Sequence, residues 1–469
     1  MTLSREVCLQ ARALIATRLG LDFPDGRLAD LERGLSEALR RSAYPAPEPY
    51  LAWLATAPDE HADLRHLAAY LTIGETYFFR ERATFESLEQ HVLPSLIATR
   101  RAEGIPRLRL WSAACATGEE PYSLAILLDR LLPDRADWSV TILATDINAE
   151  ALEAAQRGLY REWSLRDTPA WVRERYFRRN GGHTFELDAA IRRAVTFAPL
   201  NLAAGGYPSV LTNTGAMDLI LCRNVLMYFT RDAQRAAVAR LQQALVTGGW
   251  LVVSPAEASV ELLRPLVPVH YPGAILYRKD LAPGTAPVQP TSKPEAVWVD
   301  VPAPLPSWLE SGASGESAPP AKPPIMPPPD GQSDGSREPP NDLERARALA
   351  DQGNLDEARR LCEAALARNR LAPESYLLLA AICQERGEIR AAFDALRGAL
   401  YLAPDSAPAH FLLGSLLLRE GAHRRGRRCI ETVVALLSRF PREELVSGAG
   451  GLTAGRLLET ARAYLEATG

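Results

Sequence analysis

The sequence has no C-x-x-C pair, although it holds six cysteines, at positions 8, 115, 222, 362, 383 and 429. Scattered thiols without a pairing pattern suit a reducing cytosol and exclude a disulfide scaffold. The N-terminus lacks a basic segment followed by an apolar one, and no apolar run reaches the roughly 18 residues of a membrane span. The expected place is the cytoplasm, without membrane insertion. Net charge is small too: 53 basic against 57 acidic residues leave −4, no global pull toward nucleic acid or anionic lipid. The seven histidines form no ligand spacing and no Ser/His/Asp cluster stands out, so neither a metal centre nor a hydrolytic triad is expected.

What is present is uneven texture. A chain of 469 residues exceeds one ordinary core, so two or three domains are expected. Residues 1–72 read as a helical domain: "VCLQARALIATRLGL", "LADLERGLSEALRRS" and "LRHLAAYLTI" repeat apolar residues at i, i+3, i+4. Within 73–280 the apolar runs "RLRLW", "VTILATD", "VTFAPLNL", "DLILC" and "GWLVVS" alternate with helical stretches, the pattern of a doubly wound α/β domain with a largely parallel sheet. "GGHTFEL" and "AVTFAP" (181–199) read as a small β hairpin inserted into it. Residues 281–340 hold 16 of the 36 prolines and read as a disordered linker. Residues 341–469 carry a repeat: Gly353, Gly387 and Gly421 stand 34 residues apart, with Ala358, Ala392 and Gly426 and then Leu366, Leu400 and Val434 in register. This spacing is similar to tetratricopeptide repeats, an α-solenoid ending in the helix "LLETARAYLEA".

The chemistry begins at "LRLWSAACATGEEPYS" (108–123), a strand, a small-residue turn and a helix start. That layout binds nucleotide-like ligands, yet the G-x-G-x-x-G fingerprint is missing and two glutamates follow the turn. A phosphate would be repelled there. A second strand ends in Asp146, where such folds bond a ribose. S-adenosylmethionine has an adenosine, no phosphate, and two cationic centres that Glu119 or Glu120 would attract. The alternative is a plain strand–helix junction whose acids complement the helix dipole.

"GETYFFR" (74–80), "WSAACATGEEPYS" (111–123), "ATDIN" (144–148), "LNL" (200–202), "CRNVLMYF" (222–229) and "LYRK" (276–279) occur in this order. Together they resemble the CheR-type chemoreceptor glutamate O-methyltransferases over about residues 5–280. The resemblance implies Thr76 and Arg80 at the cofactor and substrate carboxylates, Glu120 at the cofactor amino group and Asp146 at the ribose. It implies Asn201 and Leu202 beside the adenine, Arg223 and Asn224 at the end of the fourth strand, and Tyr228 facing the reacting centre. Arg80 and Tyr228 are the catalytic candidates. Cys115 and Cys222 read as small buried residues rather than nucleophiles. Gly74 stands where the family usually has asparagine, and "SPAE" (254–257) replaces a glycine–histidine–serine–glutamate segment.

The implied partners are the cytoplasmic helices of methyl-accepting chemoreceptors, faced by a helix carrying Arg33, Arg40 and Arg41, plus an unknown protein held by the repeats. A solenoid on a long linker would raise a partner's local concentration without touching the active site. Such repeat-bearing enzymes resemble those of alternative pathways of the Wsp type. Two other readings stay open: a non-catalytic, methyltransferase-like adaptor, and a methyltransferase for another substrate such as nucleic acid.

Overall fold

The computed structural model describes residues 3–57, 61–72, 74–209, 212–280, 342–351, 353–442, 444–449 and 452–467. The proline-rich segment read as a linker lies outside them. Four helices, Arg5–Arg18, Leu28–Arg41, Pro47–Thr56 and Ala62–Leu71, form the N-terminal part. Their apolar stripes meet in one core around Ile15, Leu31, Leu35, Tyr50, Leu54, Leu64 and Leu67. No helix among the described residues is long and apolar enough to cross a membrane.

Among the described residues ten strands follow: β1 (Arg107–Ala113), β2 (Ser139–Asp146), β3 (Leu159–Arg161), β4 (Phe177–Arg179), β5 (Thr184–Leu187), β6 (Val195–Pro199), β7 (Met217–Leu221), β8 (Leu245–Val252), β9 (Val267–Tyr271) and β10 (Ala274–Arg278). Seven make one sheet in the order β6-β2-β1-β7-β8-β10-β9. β1 lies between β2 and β7 and runs parallel to both, while β10 is antiparallel to β8 and β9. Every residue of β1 is buried, Leu108, Leu110 and Trp111 in apolar surroundings and Arg107 and Arg109 with acidic partners or carbonyls. Strand order reverses at β1, so a crevice opens at the carboxyl ends of β1 and its neighbours, the usual ligand position in such sheets.

The expected hairpin over 181–199 does not form. β5 pairs antiparallel with β3 and β4 in a separate three-stranded sheet, whereas β6 joins the main sheet parallel to β2. Asp188 accepts a hydrogen bond from Ala190 N and starts a short helix, Ala189–Arg193, that carries the chain from one sheet to the other. Both runs form strands, but neighbouring strand-like runs do not by themselves choose a partner.

Beyond the proline-rich segment, helices pair as Asp342–Asp351 with Leu355–Arg368, Pro373–Glu385 with Ile389–Leu402, and Ala407–Arg419 with His423–Leu437; Ala454–Ala467 closes the series. Gly353, Gly387 and Gly421 all sit at positive φ, turning one helix of a pair into the next. Ala358, Ala392 and Gly426 are buried where the helices cross.

These helices pack directly against the sheet, at the starts of its parallel strands. Glu385 forms an ion pair with Arg109 and its carbonyl accepts from Arg107, both near the start of β1. A Cβ on Gly353 would meet Val246 at 2.9 Å, and one on Gly387 would meet Ser139 at 3.7 Å. The repeats thus touch the end of the sheet opposite its ligand crevice, and are not held by a tether alone.

Candidate functional site

The turn after β1 shapes the crevice. Ala114 and Ala116 adopt positive φ, at 67° and 47°, and Gly118 reaches 90°. At Gly118 a Cβ would stand 2.7 Å from the Ala155 Cβ, so close approach as well as conformation demands glycine. The turn is stitched to β2: Ala114 N and Cys115 N donate to Thr145 O at 2.8 and 2.9 Å, and Ala116 N donates to Asp146 Oδ2 at 2.8 Å. Asp146 Oδ1 accepts from Asn148 N at 2.8 Å. With the backbone of Ile147 a third partner, the carboxylate still keeps acceptor capacity for a ligand hydroxyl, having about four lone-pair sites in all. Burial pushes the Asp146 carboxyl up, opposed by its backbone hydrogen bonds.

A cavity of about 830 Å³, open mouth included, occupies this crevice. Ala114, Ala116, Asp146, Asn201, Leu202, Asn224 and Tyr228 line it, with Leu19, Leu21, Phe23 and Ile147 as apolar walls. The helical N-terminal part closes one side. Thr230 N donates to Gly20 O at 2.8 Å, Asp22 N to Tyr228 O at 2.7 Å, and Arg27 stands 5.4 Å from the centroid of the Tyr228 ring. Asn201 lines the cavity and also caps a turn, accepting from Ala203 N at 2.9 Å while donating to Arg18 O at 3.2 Å.

Thr76, Arg80, Glu120 and Arg223 are not on that wall. Glu120 and Arg223 form an adjoining buried pair, joined by the backbone carbonyl of the half-buried Arg80. Arg223 donates to Glu120 Oε2 at 3.0 Å and to Arg80 O at 2.6 Å, and pairs with Glu81 at 2.9 Å. Glu120 Oε1 accepts from Ser112 Oγ at 2.7 Å. Burial raises the Glu120 carboxyl; Arg223 and Ser112 pull it back down. For Arg223, burial lowers the guanidinium but the two carboxylates prevail and raise it. Glu119 is 2 % exposed, accepts from Thr117 Oγ1 at 2.6 Å, and is raised by burial. Arg80 turns its guanidinium to Glu75 O, 2.6 Å away, and Thr76 lies half-buried in the extended stretch before Phe78. Cys115 and Cys222 are buried, and burial drives both thiols well above their usual range, against any nucleophilic role.

One organising residue escaped the sequence reading. Glu257, in the "SPAE" segment noted only as a departure, is 5 % exposed. Its carboxylate accepts from Asn224 N at 2.8 Å, Val225 N at 2.7 Å and Ser254 Oγ at 2.6 Å. It thereby fixes the loop after β7, where Asn224 takes a positive φ of 57°, and with it the position of Tyr228. The available signal was S-x-x-E, a capping box.

The three arginines of the helix Leu28–Arg41 each have an acid at hand: Arg33 pairs with Asp30, Arg40 with Glu37, and Arg41 with Glu150 at 3.2 Å. That face is balanced rather than simply basic.

Comparison with known proteins agrees with this geometry. Residues 74–264 match the family model described as the SAM-binding domain of CheR methyltransferase. WspC of Pseudomonas aeruginosa, a probable biofilm formation methyltransferase, is 30 % identical over 423 residues, covering 88 % of this chain and 95 % of that one. Chemotaxis protein methyltransferase 1 of the same organism is 38 % identical across 44 % of this chain and 74 % of its own length. A probable chemotaxis protein methyltransferase of Rhizobium etli is 37 % identical across 44 % and 75 %. The donor set suits S-adenosylmethionine: a carboxylate with free lone pairs at the end of β2, apolar walls for a purine, and carboxylates rather than an anion cradle beside the turn. With its cofactor cavity at the strand ends and a relative matched along nearly its whole length, the chain belongs to the CheR family of S-adenosylmethionine-dependent methyltransferases.

Proposed function

We propose that this methyltransferase esterifies glutamate side chains on the cytoplasmic helices of chemoreceptors, and that its repeats hold a further protein. The observation that carries the reading is the cavity beside the Arg80–Arg223–Glu120 cluster, in a chain whose relatives are named for chemotaxis and biofilm formation.

Bound at the crevice, S-adenosylmethionine supplies a methyl group made electrophilic by its sulfonium. Asp146 holds the ribose, Asn201 and Leu202 border the adenine, and Asn224 adds a polar contact. Glu120, kept in place by Arg223 and Ser112, presents negative charge to the cofactor's amino end, near Thr76. The acceptor carboxylate has an ordinary pKa of about 4.3 and is already ionised near neutral pH, so no general base is needed. The remaining demand is alignment of carboxylate oxygen with methyl and sulfur, where orientation supplies roughly 7–11 kcal/mol. Arg80 steers the incoming carboxylate with a matching fork of donors. Tyr228, packed under Arg27 and fixed through the Glu257 loop, shields the reacting centre from water. A grip on the carboxylate stronger in the ground state than in the transition state would slow the reaction, which favours a mobile rim arginine over a buried one.

The test is label transfer. Incubated with methyl-labelled S-adenosylmethionine and receptor-containing membranes, the protein should yield label released as methanol by alkali. Alkali-stable label would point to methylation of nitrogen or carbon, and no label to an adaptor.

A further inference from the structure

Beside the segment 74–80 lies the turn Glu162–Leu165, tied to it through Phe78 N, which donates to Ser164 O at 2.9 Å. Arg166 follows the turn. Its guanidinium stands 3.6 Å from the centroid of the Tyr77 ring and 4.2 Å from that of Trp163. It donates to Trp163 O at 2.8 Å and lies 3.4 Å from Glu75 Oε1. Arg80, the arginine assigned to the acceptor carboxylate, shares both neighbours: it is 5.9 Å from the same Tyr77 ring and donates to Glu75 O. The turn also reaches the cofactor side, since Ser164 and Arg166 both act to lower the buried Glu119 carboxyl.

One feature of this constellation has no structural explanation. Trp163 is 64 % exposed, although its indole is the largest apolar surface on the turn. Tryptophan left open beside a cation is the side chain that most often anchors a protein contact. Arg166 is already immobilised by stacking, so a hydrogen bond to its edge costs little further entropy. Its side chain keeps 23 % of its surface, which leaves an edge for a partner.

We propose that Trp163 and Arg166 form a docking rim for the methyl-acceptor protein, with Arg166 pairing to an acidic side chain that flanks the residue being methylated. The occupant is an acidic helical segment: Trp163 covers its apolar side while Arg80 takes the target carboxylate and Arg166 the neighbouring one. This rests on the protein-carboxylate reading above. It adds a second recognition point and assigns Arg166 as a positioning residue that does not touch the reacting atoms.

The probe is a fluorescent alanine-rich helical peptide with one central glutamate and a second glutamate four residues away, compared with a twin carrying glutamine at the flanking position. In fluorescence anisotropy with the full chain and S-adenosylhomocysteine, the glutamate-flanked peptide should bind about five-fold tighter, the range of a partly exposed ion pair. Arg166→Gln should abolish that preference, so that the two peptides bind the variant alike. Arg166→Lys should keep part of it, since charge remains while the stack is lost. Trp163→Ala should weaken both peptides equally. Equal binding of the two peptides to the unaltered protein, or an Arg166→Gln loss that is the same for both, overturns the proposal. The methyl-acceptor reading fails separately, when label transfer to receptor membranes gives no alkali-labile product whatever the peptides do.

Discussion

Arg109, near the start of β1, and Glu385, at the end of the helix Pro373–Glu385, form an ion pair whose side chains are 3 % and 6 % exposed. The pair belongs to a chain of charges. Arg109 N donates to Asp218 Oδ2 at 2.8 Å, Asp218 pairs with Arg100, and the Glu385 carbonyl accepts from Arg107. Burial pushes the Arg107 guanidinium down, and Glu385 opposes that shift.

Breaking this pair from one side should be costly, because it strands a buried charge. Glu385→Ala is expected to lower stability by about 3–5 kcal/mol, while joint replacement by Arg109→Met and Glu385→Leu should recover much of the loss. Urea unfolding of the three variants measures it. A loss below about 1 kcal/mol for Glu385→Ala would mean that the repeats are only tethered.

Asp146→Ala should remove a charge-assisted hydrogen bond to the ribose. Such bonds are worth about 1.5–3 kcal/mol, a loss of roughly 10- to 150-fold in cofactor affinity. Calorimetric titration with S-adenosylhomocysteine reads this directly. Unchanged affinity would take the nucleoside away from the end of β2.

Glu119, Glu120 and Asp146 share a direction: burial raises all three carboxyls. A raised carboxyl binds its proton more tightly in the folded state than in the unfolded one. Its contribution to folding is therefore full below the ordinary carboxylate range, near pH 4, and is lost as pH rises through the elevated value. Cofactor binding runs the opposite way, because a cationic ligand favours the ionised carboxylates. Affinity for S-adenosylmethionine should climb with pH above about 4 and level off once these groups have ionised. The shift in Tm on adding cofactor should grow across the same window, and a profile that stays flat from about pH 4 upward would contradict the charge argument.

Glu257→Gln replaces one acceptor oxygen with an amide donor facing the N–H groups of Asn224 and Val225. The expected cost is about 1–3 kcal/mol of stability. Methyl transfer should fall further than cofactor affinity, because the loop that carries Tyr228 loses its anchor. Parallel measurement of Kd and turnover separates the two effects.

Much of this architecture is legible in the sequence, and the gaps have physical causes. Amphipathic period marks the N-terminal helices, and unbroken apolar runs mark strands covered on both faces. A 34-residue register marks the helix pairs, because each turn needs a left-handed residue at the same place. Asp146 is readable because it ends a strand next to a small-residue turn. By contrast, the sequence suggests a hairpin for β5 and β6, because two adjacent strand-like runs carry no information on which strands they pair with. The Arg109–Glu385 ion pair is not legible for a related reason. Arg107 and Arg109 sit in an apolar strand 276 or more residues from Glu385, and only packing pairs charges so far apart. Glu257 is legible only as the last residue of an S-x-x-E capping box; that its carboxylate also gathers the N–H groups of Asn224 and Val225, some 30 residues away, only the fold shows.

The account stands or falls on where the cofactor lies. A crystal structure of the protein with S-adenosylhomocysteine tests this most directly. It should show both ribose hydroxyls within hydrogen-bond reach of Asp146, the purine against Leu202, and the sulfur turned toward Tyr228 and the Arg80 rim. A nucleoside bound elsewhere, or reversed so that the purine meets Arg80, would contradict it.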